Sequence, residues 1–142
     1  MFNEIFLSSD HAGFELKEKV KIFLSDNNFN YIDLGCFSLE PVDYPDYAKI
    51  LSKKMKDKIH SKGILFCGTG IGISMAANRF SHIRAALCTS VEMASKSRKH
   101  NDANVLALGG RILEEKLALK IVSEFLETDF EAGRHNLRVE KI

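Results

Sequence analysis

Gly63-Ile64-Leu65-Phe66-Cys67-Gly68-Thr69-Gly70-Ile71-Gly72 is a continuous apolar run that breaks into alternating glycines. A strand that is apolar throughout belongs inside a parallel sheet covered on both faces. Glycines at its end let the chain turn sharply and let a ligand approach the backbone amides. A helix is expected to follow, running to about Arg79. The β–α alternation repeats on either side of this stretch. Upstream, Ile5-Phe6-Leu7 reads as a strand, and Leu16, Val20, Phe23 and Leu24 recur at helical spacing after it. Tyr31-Ile32-Asp33-Leu34 is a second strand closed by Gly35. The proline-bearing loop at 40–45 ends in Pro45, in the first turn of a helix with Ala48, Leu51, Met55 and Ile59 on its apolar face. Downstream, strands are expected at 83–88 and 104–108, and helices at about 91–99 and around Leu117, Ile121 and Phe125. Alternating strands and helices of this kind predict an α/β fold: a doubly wound, Rossmann-like, five-stranded parallel sheet with helices on both faces.

The whole-chain quantities bound the function. A length of 142 residues fits one domain, here read as 1–142 with a polar tail from 128 to 142. The net charge of +1 gives no bulk attraction for nucleic acid. No stretch approaches the ~18 apolar residues of a membrane span. The opening MFNEIFLSSDH lacks the basic start and long apolar run of a signal peptide. The three cysteines, Cys36, Cys67 and Cys88, are odd in number and contain no Cys-x-x-Cys pair. That argues against a disulfide framework or a zinc site and points to a reducing, cytoplasmic setting.

In open α/β sheets, ligands bind outside the carboxyl ends of the strands. The rule directs attention to residues 8–11, 67–72, Thr89 and 109–111. The glycine loop 67–72 suits an anion, since its amides precede a helix. It is not the Gly-x-Gly-x-x-Gly of dinucleotide folds, and strand 83–88 ends in Thr89-Ser90 without an acidic residue for a ribose. There is no Gly-Lys-Ser/Thr either. What remains is an anion site with a thiol at its lip. A buried cysteine is ordinarily a small hydrophobe, which is how Cys36 and Cys88 read. Cys67 differs because it directly precedes a helix N-terminus, a position that favours the thiolate. Asp10-His11 closes the first strand, and His100-Asn101-Asp102 ends a helix. Arg134 and Arg138 share a face on a helical turn, where an anion between them would relieve their repulsion. These clusters are expected to meet at one end of one sheet.

Five segments together resemble the type B ribose-5-phosphate isomerases, a family that includes isomerases of galactose 6-phosphate and allose 6-phosphate. They are Ser9-Asp10-His11-Ala12-Gly13, Asp43-Tyr44-Pro45-Asp46-Tyr47-Ala48, Cys67-Gly68-Thr69-Gly70-Ile71-Gly72-Ile73-Ser74, His100-Asn101-Asp102-Ala103-Asn104-Val105-Leu106 and Gly133-Arg134-His135. The resemblance covers essentially the whole chain with few departures, among them Ser8-Ser9 where relatives often carry a glycine and a small residue. It implies interconversion of ribose 5-phosphate and ribulose 5-phosphate, a step of the pentose phosphate pathway, through an enediolate. By the resemblance, Cys67 is the base and Thr69 a proton relay, and the amides of Gly68, Gly70, Ile71 and Gly72 stabilise the enediolate oxygen. His100, assisted by Asp10, opens the furanose ring. His11, Arg134 and Arg138 hold the phosphate, and Asn101 and Arg111 contact the sugar or its phosphate end. The resemblance further implies a homo-oligomer, dimer or tetramer, with the site at a subunit interface and His100, Asn101 and Arg111 supplied by the neighbour. It implies no metal and no organic cofactor, no nucleic acid and no membrane. The rival readings are a six-carbon sugar phosphate as substrate, or a sugar-phosphate-binding module without turnover.

Overall fold

The computed structural model describes residues 4–142. Five strands form one parallel sheet: β1 (Glu4–Ser9), β2 (Tyr31–Asp33), β3 (Ser61–Cys67), β4 (Ala85–Leu87) and β5 (Val105–Gly109), in the order β2-β1-β3-β5-β4. Each neighbouring pair is parallel. The helices are α1 (Phe14–Asp26), α2 (Tyr44–Met55), α3 (Ile71–Ala77), α4 (Val91–Asn101), α5 (Glu115–Glu127) and α6 (Asn136–Val139), with a 3₁₀ turn at Gly133–His135. The doubly wound, Rossmann-like architecture expected from the alternation is the one found.

Strand alternation divides the core in two. Ile5, Leu7, Ile64, Phe66, Leu106 and Leu108 point to one face, where Leu16, Val20 and Leu24 of α1, Ala94 of α4, and Ala118, Ile121 and Phe125 of α5 cover them. Phe6, Leu65, Cys67, Val105 and Ala107 point to the other, under Ala48, Leu51 and Met55 of α2 and Ile73 and Ala77 of α3. Central strands buried on both sides explain why β3 reads as an unbroken apolar run. Among the described residues, no helix is long and apolar enough to cross a membrane.

Three local expectations need correction. The apolar face of α2 ends at Met55, and Ile59 is 88% exposed rather than helical. Lys58 donates its amide to Met55 O and Ser61 donates to Lys58 O, because the chain must reverse within five residues to enter β3. The fourth strand is three residues long, not six: Arg84 is taken out of it by its amide bond to Asn104 Oδ1, while Ile83 is buried below the sheet. Arg134 and Arg138, expected on one regular helical turn, fall on either side of a change from 3₁₀ to α geometry.

Candidate functional site

Reversal of winding direction opens a crevice between the carboxyl ends of β1 and β3, and the chain fills it with backbone polar groups. Cys67 is the last residue of β3 and lies in register with Gly109, the last of β5. It is 4% exposed, and its Sγ accepts the Gly70 amide at 3.1 Å. That bond exists because Gly70 has φ +79°, and a β-carbon there would meet Leu87 Cδ1 at 2.6 Å. The Thr69 hydroxyl oxygen accepts the Ile71 amide at 3.2 Å. Two of the amides expected to face a ligand, those of Gly70 and Ile71, thus donate to the loop's own side chains here.

The neighbouring loops are clasped onto this one. Gly110 donates its amide to Cys67 O at 2.8 Å and Arg111 donates to Gly68 O at 3.0 Å. A β-carbon on Gly68 would stand 3.6 Å from Arg111 Cδ, so the Arg111 side chain lies over the thiol loop. Asp10, almost fully buried, donates its amide to Phe66 O and accepts the Gly13 amide on Oδ1 at 3.0 Å. His11 Nδ1 accepts the Val42 amide at 3.1 Å, so the proton of the neutral ring sits on Nε2. Tyr44, in the motif that opens α2, has no role by the resemblance. Its ring presses on Gly72, where a β-carbon would come within 2.6 Å of Cζ. Glycine at 72 is the signal that could have found it.

Cys88, also buried near a strand end before a helix, is a different thiol. Burial pushes it up to about 11, with a hydrogen bond from Ser97 working the other way. It and Cys36 are small buried residues, as expected.

The remaining expected residues lie elsewhere. Helix α4 returns antiparallel to the strands, as a β–α–β crossover must, so its last turn sits at the amino edge of the sheet. There Arg84 Nε donates to Asn101 O and Asp102 O, and Arg98 and Arg84 both reach the Asp102 carboxylate, at 2.9 and 3.2 Å. The tail is tied to the same place by the Glu131 amide on Lys99 O. The His100 and His135 rings stack with centroids 4.3 Å apart and planes 15° apart. His135 is 6% exposed, and its Nε2 has no hydrogen-bond partner. Burial lowers its pKa from the ordinary value, and the neighbours His100, Arg134 and Arg138 lower it further against the opposing Glu131. Arg134 and Arg138 are exposed beside it. His100, Glu131 and His135 bring ligand atoms within 4.8 Å of one another, the one grouping of metal-ligand character among the described residues.

The expectation that all clusters share one end of the sheet is therefore overturned for a single chain. Cys67, Thr69, Asp10, His11 and Arg111 occupy the carboxyl edge, whereas His100, Asn101, Arg134 and Arg138 occupy the amino edge. The length of β5 alone separates them by about 13 Å. Arg111, grouped with His100 by the resemblance, stands with the thiol of its own chain.

A family model described as ribose/galactose isomerase matches residues 5–142. The chain is 44% identical to ribose-5-phosphate isomerase B of Escherichia coli (strain K12), over 98% of this chain and 93% of that one. Among solved structures, the ribose 5-phosphate isomerase of Thermotoga maritima is 50% identical with a TM-score of 0.94, covering 97% of this chain and 95% of that one. Ribose-5-phosphate isomerase B of Mycoplasma genitalium, solved with bound ribulose 5-phosphate, is 42% identical with a TM-score of 0.91, covering 97% and 92%.

Proposed function

Since the chain belongs to the ribose/galactose isomerase family and is an aldose–ketose isomerase of its ribose-5-phosphate isomerase B branch, we propose that it interconverts ribose 5-phosphate and ribulose 5-phosphate with Cys67 as the base. The observation that carries the assignment of the base is the Gly70 amide donating to Cys67 Sγ at 3.1 Å. An N–H aimed at sulfur stabilises a thiolate, and the thiolate is the form that can accept a proton.

The reaction runs in three stages. His100, helped by Asp10, moves a proton between the ring oxygen and the anomeric hydroxyl and opens the furanose. The Cys67 thiolate then takes the proton from C2 of the aldehyde form. The electron pair of the broken C–H bond forms the C1–C2 double bond of an enediolate, and the carbonyl pair moves to O1. Return of the proton to C1, with Thr69 exchanging the hydroxyl proton between O2 and O1, yields the ketose. Hydrogen moves within one molecule and nothing is oxidised overall. Charge accumulates on oxygen, so the loop amides that Cys67 Sγ and Thr69 Oγ1 do not take up, among them those of Gly68 and Gly72, count most, and losing one such donor costs roughly 100- to 1,000-fold in rate. His11, Arg134 and Arg138 hold the phosphate, with Asn101 and Arg111 on the sugar or its phosphate end.

These roles need both edges of the sheet at one substrate, which a second copy of the chain supplies. The working unit is a homo-oligomer in which His100, Asn101, Arg134 and Arg138 of one copy complete the thiol loop of another. Exposed Ile71, Met75, Met93 and Ile112 around the carboxyl edge support such a contact. Three free cysteines are consistent with a cytoplasmic setting. The ribulose 5-phosphate bound by the Mycoplasma genitalium relative favours the pentose.

A coupled assay on ribose 5-phosphate, allose 6-phosphate and galactose 6-phosphate, with Cys67→Ala alongside, tests the proposal. The expected result is pentose turnover that falls about 100- to 10,000-fold in the variant. Turnover of a hexose phosphate alone would keep the mechanism and replace the substrate. A fully active Cys67→Ala would remove the thiol from the reaction.

A further inference from the structure

Lys17 sits on the inward face of α1 and is 0% exposed. A buried ammonium persists only where partners satisfy it. Its Nζ donates to Asp33 Oδ1 at 2.6 Å and to Cys36 O at 2.5 Å, between the rings of Phe14 and Phe37. Asp33 also accepts the Gly35 amide on Oδ1 at 2.9 Å and Lys21 on Oδ2 at 2.8 Å. Burial works against this carboxylate, yet the bonds from Lys17, Lys21 and Gly35 prevail and hold its pKa below the usual range.

Every one of these bonds ends on residues 33–36, where β2 passes into the long loop that leads to α2. The same residues are stitched to the end of β1: Ser9 donates its amide to Gly35 O at 2.7 Å, and Cys36 donates to Ser9 O at 2.9 Å. Ser9 lies two residues before His11. The loop then spans to Val42, whose amide meets His11 Nδ1. Both ends of the His11 contact thus lead back to the buried ion pair.

We infer that Lys17 and Asp33 are positioning residues: by fixing the loop from 33 to 42 they keep the Val42 N–H on His11 Nδ1 and commit the His11 proton to Nε2. A phosphate oxygen accepts hydrogen bonds, so only the nitrogen bearing the proton can grip it. The other tautomer would present a lone pair there and repel the anion. The kinetic consequence rests on the proposed phosphate-binding role of His11; the tautomer itself does not.

The test uses the full chain with ¹⁵N-labelled histidine at roughly pH 8, where an ordinary imidazole is neutral. The His11 signals are assigned by their loss in His11→Gln. Asp33→Asn removes the charge and keeps the shape. Val42→Pro deletes the donor and leaves the ion pair intact. In the native chain His11 is expected as the single Nε2–H tautomer, and both variants are expected to give averaged signals of a mixture. Both are also expected to raise KM for ribose 5-phosphate about 10-fold with kcat within about twofold, the split a lost ground-state contact produces. A cooperatively folded Asp33→Asn that keeps the Nε2–H tautomer overturns the inference, whatever Val42→Pro does. If the native chain turns over no sugar phosphate, the proposed function fails, and the nitrogen spectra still decide this inference.

Discussion

The two edges of the sheet are built from different materials. At the carboxyl edge the side chains of Asp10, His11, Thr69 and Arg111 stand among glycine amides, strand-end carbonyls and a thiol, held by hydrogen bonds within and between the loops. At the amino edge the polar groups are side chains: a stacked imidazole pair, exposed arginines, and a tail tied back to α4. Rigid dipoles suit a charge that develops at one atom during a reaction, because they cost no reorganisation. Long cationic side chains suit an anion that arrives already charged and must be reached across a gap. Within one chain the two sets lie at opposite edges, so the proposed reaction needs an edge from each of two copies.

The largest effect expected from that contrast is subunit complementation. Cys67→Ala and His100→Asn each disable one edge, and each alone should be nearly inactive. Mixed as unfolded chains in equal amounts and refolded, they should recover about a quarter of native activity, because half the dimers pair a sound thiol edge with a sound histidine edge at one of two sites. Recovery indistinguishable from zero would mean that a single chain assembles the site.

A smaller effect belongs to the arginines. Arg138→Ala should raise KM for the sugar phosphate roughly 10- to 100-fold with little change in kcat, since a phosphate contact is made equally in ground and transition states. An unchanged KM would take Arg138 out of the phosphate site and weaken the assignment of the amino edge to the anion.

The smallest concerns His135. Its folded-state pKa lies below the unfolded value of about 6.5, so above that value both states are neutral and pH has no hold. As pH falls through about 6.5, the unfolded chain binds a proton that the folded one refuses, and stability is lost with acidification. Thermal unfolding followed from roughly pH 7.5 to 5.5 should show a falling Tm, with a shallower fall in His135→Gln. An equal fall in that variant would place the acid sensitivity on another group and leave the imidazole stack without an energetic role.

Much of this was legible from residues alone. Short continuous apolar runs and helical spacing located every strand and the major helices, because both report directly which side chains face a core. Ile59 escaped that reading: it continues the helical spacing of Leu51 and Met55, yet lies beyond the helix, since periodicity does not say where a chain must turn back. Cys67 was identifiable from its place between a strand and a glycine turn. Lys17 was not, for a lysine at helical spacing is ordinarily on the solvated face, and only the fold brings Asp33 and Cys36 O to it.

The sequence by itself determined the class of fold, the glycine loop with its thiol, and the set of groups capable of proton transfer and phosphate binding, since each depends on local chemistry or short spacing. Tertiary structure alone decided that those groups divide between opposite edges of one sheet. A helix that returns a chain to the start of the next strand carries its last residues away from the strand ends, and no local pattern records that distance.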